Sequence, residues 1–107
     1  MIQHIVMWKF ADEAEGRTRE ENMEFVRNRL LALPALIGEI RGFEIGRDML
    51  HGAASYDMGL CARFDDMAAL ERYRVHPDHA AVADYVRRVT TARASLDAAF
   101  DDDGHLV

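Results

Sequence analysis

Apolar and polar positions alternate from the first residues. Ile2, His4, Val6, Trp8 and Phe10 share one face of an extended segment, while Ile5 and Met7 make the other face apolar as well. Residues 2–10 therefore read as a strand that needs cover on both sides. Residues 11–16 are polar and turn-like. Thr18 and Glu21 then stand at capping-box spacing, and Met23, Val26, Leu30 and Leu33 recur at helical intervals. This predicts a helix from Thr18 to about Leu33, which Pro34 ends. The loop 34–39 is unusually apolar, with Ala35, Leu36 and Ile37, a composition that often marks an interface. A second strand is expected over 40–47, followed by a polar excursion to Ser55 that holds His51 and Gly52.

Alternation returns with Tyr56, Met58, Leu60, Ala62 and Phe64 set against Asp57, Gly59, Cys61 and Arg63, a strand over 56–64. Asp65 or Asp66 offers a capping oxygen to a helix whose apolar face is Met67, Leu70 and Tyr73. Pro77 stops that helix and suits the first turn of another, running to about Val89, with His76 as a cap or turn residue. Residues 95–100 are read as the last strand, although alanine forms strands poorly. Asp101, Asp102, Asp103 and Gly104 end the fold, and residues 105–107 are expected to fray.

Strand, helix, strand, strand, helical segment, strand is the order of a split β-α-β domain. It predicts an α+β fold, a ferredoxin-like monomer with a four-stranded antiparallel sheet and helices on one face. One sheet face is then bare, and Ile5 and Met7 argue that it is not wet. A homodimer with its sheets face to face, a dimeric α+β barrel, closes both faces at once.

Length and composition narrow the function classes. The 107 residues suit one domain, half of them apolar. No apolar run approaches the ~18 residues of a membrane span, so no membrane partner is expected. The N-terminus lacks the basic-then-apolar pattern of a secretory leader. Cys61 is alone and cannot form an internal disulfide, which fits a reducing cytoplasm. Its position inside a strand reads as a small buried hydrophobe. Nineteen acidic residues against 13 basic ones, a net charge of −6, argue against nucleic acid as a partner.

The candidate chemistry lies at the helix–helix corner. His79 titrates near neutrality and can serve as a general base, and the Tyr73 hydroxyl can polarise a carbonyl or hold an enolate. The alternative is packing, with Tyr73 hydrogen-bonded to His79. Alternation puts His4, Val6, Trp8, Met58 and Leu60 on the helix-facing side of the sheet. Met23, Val26, Tyr73 and His79 should look back at them across a mostly apolar small-molecule cavity. His76 and His79 are three apart, but only Asp78 is near to complete a metal set, so none is expected. There is no glycine-rich phosphate loop, dinucleotide fingerprint or nucleophile-elbow motif, so an enzyme of this sequence would work without a bound cofactor.

The segment His4-Ile5-Val6-Met7-Trp8-Lys9-Phe10 resembles the opening strand of the stress-responsive A/B barrel (Dabb) family. Ala32-Leu33-Pro34, Gly46-Arg47-Asp48, Tyr56-Asp57, Phe64-Asp65, Tyr73 and His76-Pro77-Asp78-His79 follow further family positions in order. The resemblance runs from Met1 to about Phe100 and implies the ferredoxin-like monomer and the dimeric barrel. Most members have no established activity. One similar branch is a plant polyketide cyclase, a cofactor-free enzyme of intramolecular aldol condensation. Its catalytic tyrosine and histidine match Tyr73 and His79, and a pocket histidine matches His4. Met58 stands where that enzyme has a further histidine, and Met23 and Val26 stand where it has aromatic residues. Three classes are thus open: a stress-associated barrel binding a small apolar or aromatic ligand, a cofactor-free acid–base enzyme acting on a carbonyl compound, and a cofactor-free oxygenase.

Overall fold

A strand apolar on both faces belongs in the middle of a sheet, and β1 (Ile2–Phe10) lies there in the computed structural model, which describes residues 1–100. A short ribbon follows, β2 (Glu13–Ala14) and β3 (Arg17–Thr18), then helix α1 (Arg19–Leu31) and strands β4 (Gly42–Arg47) and β5 (Met58–Phe64). Helices α2 (Met67–Val75) and α3 (Pro77–Val89) lead into the last strand, β6 (Thr90–Ala99). The main sheet is antiparallel in the order β4-β5-β1-β6, with the helices on one face. This is the ferredoxin-like α+β arrangement the element order predicts. The acidic run and terminal residues 101–107 lie outside the described residues.

Register sets the layers. Val6 lies opposite Leu60, Trp8 opposite Met58, and His4 between Ala62 and Asp97. The helix-facing side chains Val6, Trp8, Phe10, Met58, Leu60, Ala62 and Phe64 are buried under Met23, Val26 and Leu30 of α1 and Val82, Val86 and Val89 of α3. Each buried Val, Leu, Met or Phe among them stabilises the fold by roughly 1.5–3 kcal/mol relative to exposure. Phe43 and Ile45 of β4 extend the same layer at its edge, partly buried.

The helix ends follow their local chemistry. The Thr18 hydroxyl accepts from the Glu21 amide at 3.3 Å, and the Glu21 carboxylate accepts from the Thr18 amide at 2.9 Å, a complete capping box. Asp66 caps α2 through the Ala69 amide at 2.8 Å. His76 ends α2 and caps α3, its Nδ1 accepting from the Asp78 amide at 3.1 Å, with Pro77 in the first helical position. A single residue therefore joins the two helices.

Several boundaries differ from expectation. Helix α1 stops at Leu31, and Leu33–Ala35 tighten into a 3₁₀ turn around Pro34. Of the apolar loop after it, Ile37 is buried in the core beside Leu33, whereas Ala35 and Leu36 are exposed. The turn-like stretch before α1 closes into the β2–β3 ribbon, because Glu15 and Gly16 both take positive φ, 54° and 75°. Strands β4 and β5 each begin two residues later than predicted. Strand β6 begins at Thr90, five residues early, and pairs with β1 along its whole length. Thr90 and Thr91 are β-branched, and pairing with a long central strand overrides the poor propensity of the alanines that follow.

The far face of the sheet carries Ile5 and Met7 of β1 and Leu96 of β6, with no helix over them. Met7 is 40% and Leu96 55% exposed, so an apolar strip crosses the face. Among the described residues, no helix is long and apolar enough to cross a membrane.

Candidate functional site

Three ring side chains meet where the α2–α3 corner overhangs β1. His4 points to the helical side of the sheet, Tyr73 comes from the last turn of α2, and His79 from the first turn of α3. The Tyr73 and His79 rings lie 4.3 Å apart between centroids and are inclined at 46°. The His4 ring stands edge-on to Tyr73 at 6.1 Å. Phe64 backs Tyr73 from β5 at 4.9 Å. All three polar rings line a cavity of about 630 Å³ between the corner, β1 and the first half of β6. Val6, Trp8, Leu30 and Leu60 form its apolar floor, and Ala80, Ala83 and Val86 its α3 wall. The exposed Arg74, Arg87 and Arg93 stand at its rim.

The electrostatics assign roles to these groups. The Arg74 carbonyl lies 3.0 Å from His79 Nδ1, and a carbonyl can only accept, so Nδ1 carries the proton and Nε2 is the basic nitrogen. Burial holds the His79 pKa below its ordinary value of 6.5, the bond to the Arg74 carbonyl works the other way, and His4, Arg74 and Arg93 lower it further. Placement in the first turn of α3, at the positive end of the helix dipole, acts in the same sense. Burial pushes the Tyr73 phenol up, so it stays protonated at any physiological pH. Its hydroxyl is buried and has no hydrogen-bond partner among the described residues. His4 is anchored differently, its Nδ1 donating to the Asp97 carboxylate from the neighbouring strand. A neutral base, a protonated donor and an oriented second imidazole thus share one apolar cavity. That combination can remove an acidic C–H proton and hold the oxygen of the resulting enolate.

Of the residues singled out in the sequence, His4, Val6, Trp8, Leu60, Tyr73 and His79 line this cavity together. Met23, Val26 and Met58 are in the buried core and are not among the lining residues. The expected Tyr73–His79 hydrogen bond is absent, and the two groups meet through their rings. His76 serves as a helix cap. Among the described residues, no three His, Cys, Asp or Glu side chains cluster as a metal site. Sequence reasoning missed Asp97 and the three rim arginines. Asp97 had one signal, an acid on the inward parity of a strand otherwise made of Ser, Leu and Ala. Arg93 was hidden by the late start given to that strand.

Comparison with known proteins supplies the wider setting. The family described as Stress responsive A/B Barrel Domain (Dabb) matches residues 2–100. No curated protein matches the chain. Among solved structures, a dimeric protein of unknown function and ferredoxin-like fold from Bacteroides fragilis is 29% identical. It superposes with a TM-score of 0.77 over 92% of this chain and 95% of its own. A dimeric ferredoxin-like protein of unknown function from Thermobifida fusca is 27% identical, with a TM-score of 0.80 over 92% of this chain and 90% of its own. The hydroxynitrile lyase of Passiflora edulis shares the fold at a TM-score of 0.82 and 12% identity, over 94% of both chains.

Proposed function

The chain belongs to the stress-responsive A/B barrel family, and from that membership we propose that it is a homodimer whose cavity performs acid–base chemistry on a small carbonyl compound. The observation that carries this reading is the joint presence of His79 and Tyr73 on one apolar cavity, the first held neutral and the second held protonated. His79 Nε2 takes a proton from carbon next to a carbonyl and becomes an imidazolium. The electron pair of the broken C–H bond moves to the carbonyl oxygen, which accepts a hydrogen bond from Tyr73. The enolate then takes the proton back from the His79 imidazolium at a different carbon or on its opposite face, an isomerisation, or attacks a second carbonyl of the same molecule, whose alkoxide oxygen takes that proton, a cyclisation. Neither outcome needs an electron donor or acceptor. His4, fixed by Asp97, offers a second hydrogen-bonding nitrogen to the substrate.

Dimerisation is supported by the apolar strip of Ile5, Met7 and Leu96 and by the dimeric state of the Bacteroides and Thermobifida proteins. A cytoplasmic location suits the single cysteine, which needs no oxidising compartment. The test is hydrogen exchange into a simple ketone. Benzyl methyl ketone in heavy water, followed by proton NMR, should lose its benzylic signal faster with the protein than without it. His79→Ala should slow the catalysed exchange by about two to four powers of ten. A parent protein with no effect on this ketone, despite binding it, would make the cavity a binding site without catalysis.

A further inference from the structure

The rim of the cavity does not match its floor. The chain carries a net charge of −6, yet no Asp or Glu lines the cavity, while Arg74, Arg87 and Arg93 do. They come from three different elements, α2, α3 and β6, so the fold rather than one helix face gathers them. Among the described residues, Arg74 and Arg87 have only loose, exposed partners one helical turn away, Glu71 and Asp84, each at 3.8 Å. Exposed pairs of this kind contribute little and leave the guanidinium free to turn. Arg93 has no carboxylate partner among the described residues, and it faces the helices from the position opposite Trp8. Three cations around an apolar cavity repel one another, and Arg74 and Arg93 also disfavour protonation of His79, a cost that an anion at the rim would relieve.

We propose that the ligand of this cavity is a small anionic carbonyl compound, an apolar body with a carboxylate that Arg93 holds at the rim, with Arg87 and Arg74 beside it. This rests on the carbonyl-chemistry reading of the same site and adds the charge and the orientation of the substrate. A guanidinium offers two parallel N–H donors to a carboxylate, which fixes the direction as well as the position of the bound molecule. With its charged end at the arginines, the reactive carbonyl lies inward, toward Tyr73 and His79. The ordinary consequence follows for specificity. A neutral analogue of the same shape keeps the apolar contacts and loses the charge-assisted bonds.

Phenylpyruvate and its methyl ester test this, because they share the ring, the ketone and the acidic benzylic carbon and differ in the charge. Titration calorimetry should give tighter binding of the acid by roughly tenfold to a hundredfold, the worth of one charge-assisted hydrogen-bonding pair. Arg93→Gln should abolish that preference and leave ester binding unchanged, Arg93→Lys should keep part of it, and added salt should weaken the acid alone. Equal binding of acid and ester by the parent protein overturns the inference while the carbonyl reading stands on benzyl methyl ketone exchange. An acid preference that survives Arg93→Gln overturns the assignment to Arg93. Failure of acid, ester and ketone together overturns both readings. Circular dichroism and the oligomeric state of Arg93→Gln should match the parent, since an exposed arginine at the rim carries no core packing.

Discussion

Tyr73→Phe should make the protein more stable and less active, an unusual pairing that follows from one atom. The Tyr73 hydroxyl is buried in the core side of the cavity and has no partner among the described residues. A buried hydroxyl without a hydrogen bond costs about 1–3 kcal/mol against its hydrated state in the unfolded chain. Removing the oxygen leaves a void far smaller than a methyl group. At about 24 cal/mol per Å3 that void costs only a few tenths of a kcal/mol. The ring stays in contact with Phe64 and His79, so packing is otherwise kept. The net expectation is a gain of ~1–2 kcal/mol, or roughly 4–15 °C in Tm for a domain of this size. Urea unfolding followed by the fluorescence of Trp8, the single and buried tryptophan, measures it directly. Parent and variant must be compared at one protein concentration, because the proposed dimerisation would contribute to apparent stability. Exchange into benzyl methyl ketone should fall in the same variant while the ketone still binds. A Phe variant less stable than the parent by 1 kcal/mol or more (about one hydrogen bond) would refute the reasoning. It would mean that the hydroxyl already has a hydrogen-bond partner.

Two further outcomes follow from the same geometry. The depressed His79 pKa makes stability depend on pH with a definite sign. Above its ordinary value of 6.5 the ring is neutral in both states, and as pH falls below that value the unfolded chain takes the proton first, so stability declines. His79→Ala should show a shallower decline across that window in urea titrations, and catalysed exchange in the parent should persist below pH 6.5 until the lower native value is reached. Met7→Glu places a carboxylate in the apolar strip of the far face and should dissociate or unfold the dimer, read by sedimentation at micromolar concentration. A Met7→Glu protein that sediments as the parent does would remove that face from the interface.

What the sequence disclosed was local, and what it withheld was paired across the sheet. The capping box of Thr18 and Glu21, the His76–Pro77 junction and the two faces of β1 each depend on residues a few positions apart, and all were legible. The approach of Tyr73 and His79 was legible for the same reason, since they stand six positions apart on two helices that meet at Pro77. The His4–Asp97 pair joins residues 93 apart, and only the register of β6 against β1 brings them together. Arg93 depended on where β6 begins, which pairing decides and alanine propensity obscures. Met23, Val26 and Met58 illustrate another limit. Periodicity assigns a side chain to a face, but not to a depth, and these three are sealed between the helices and the sheet.

Helix α3 has a division of labour along its circumference. Val82, Tyr85 and Val89 are sealed in the core, whereas Ala80, Ala83 and Arg87 border the cavity. Apart from Val86, which belongs to both sets, the residues that hold the helix in place are not those that shape the space beside it. Ala80 and Ala83 are small, and enlarging either would subtract volume from the cavity without touching the packed side of the helix. The shape of the cavity can therefore change through a few positions at almost no structural penalty. The same two alanines are where a designer would begin to fit the barrel to a different molecule.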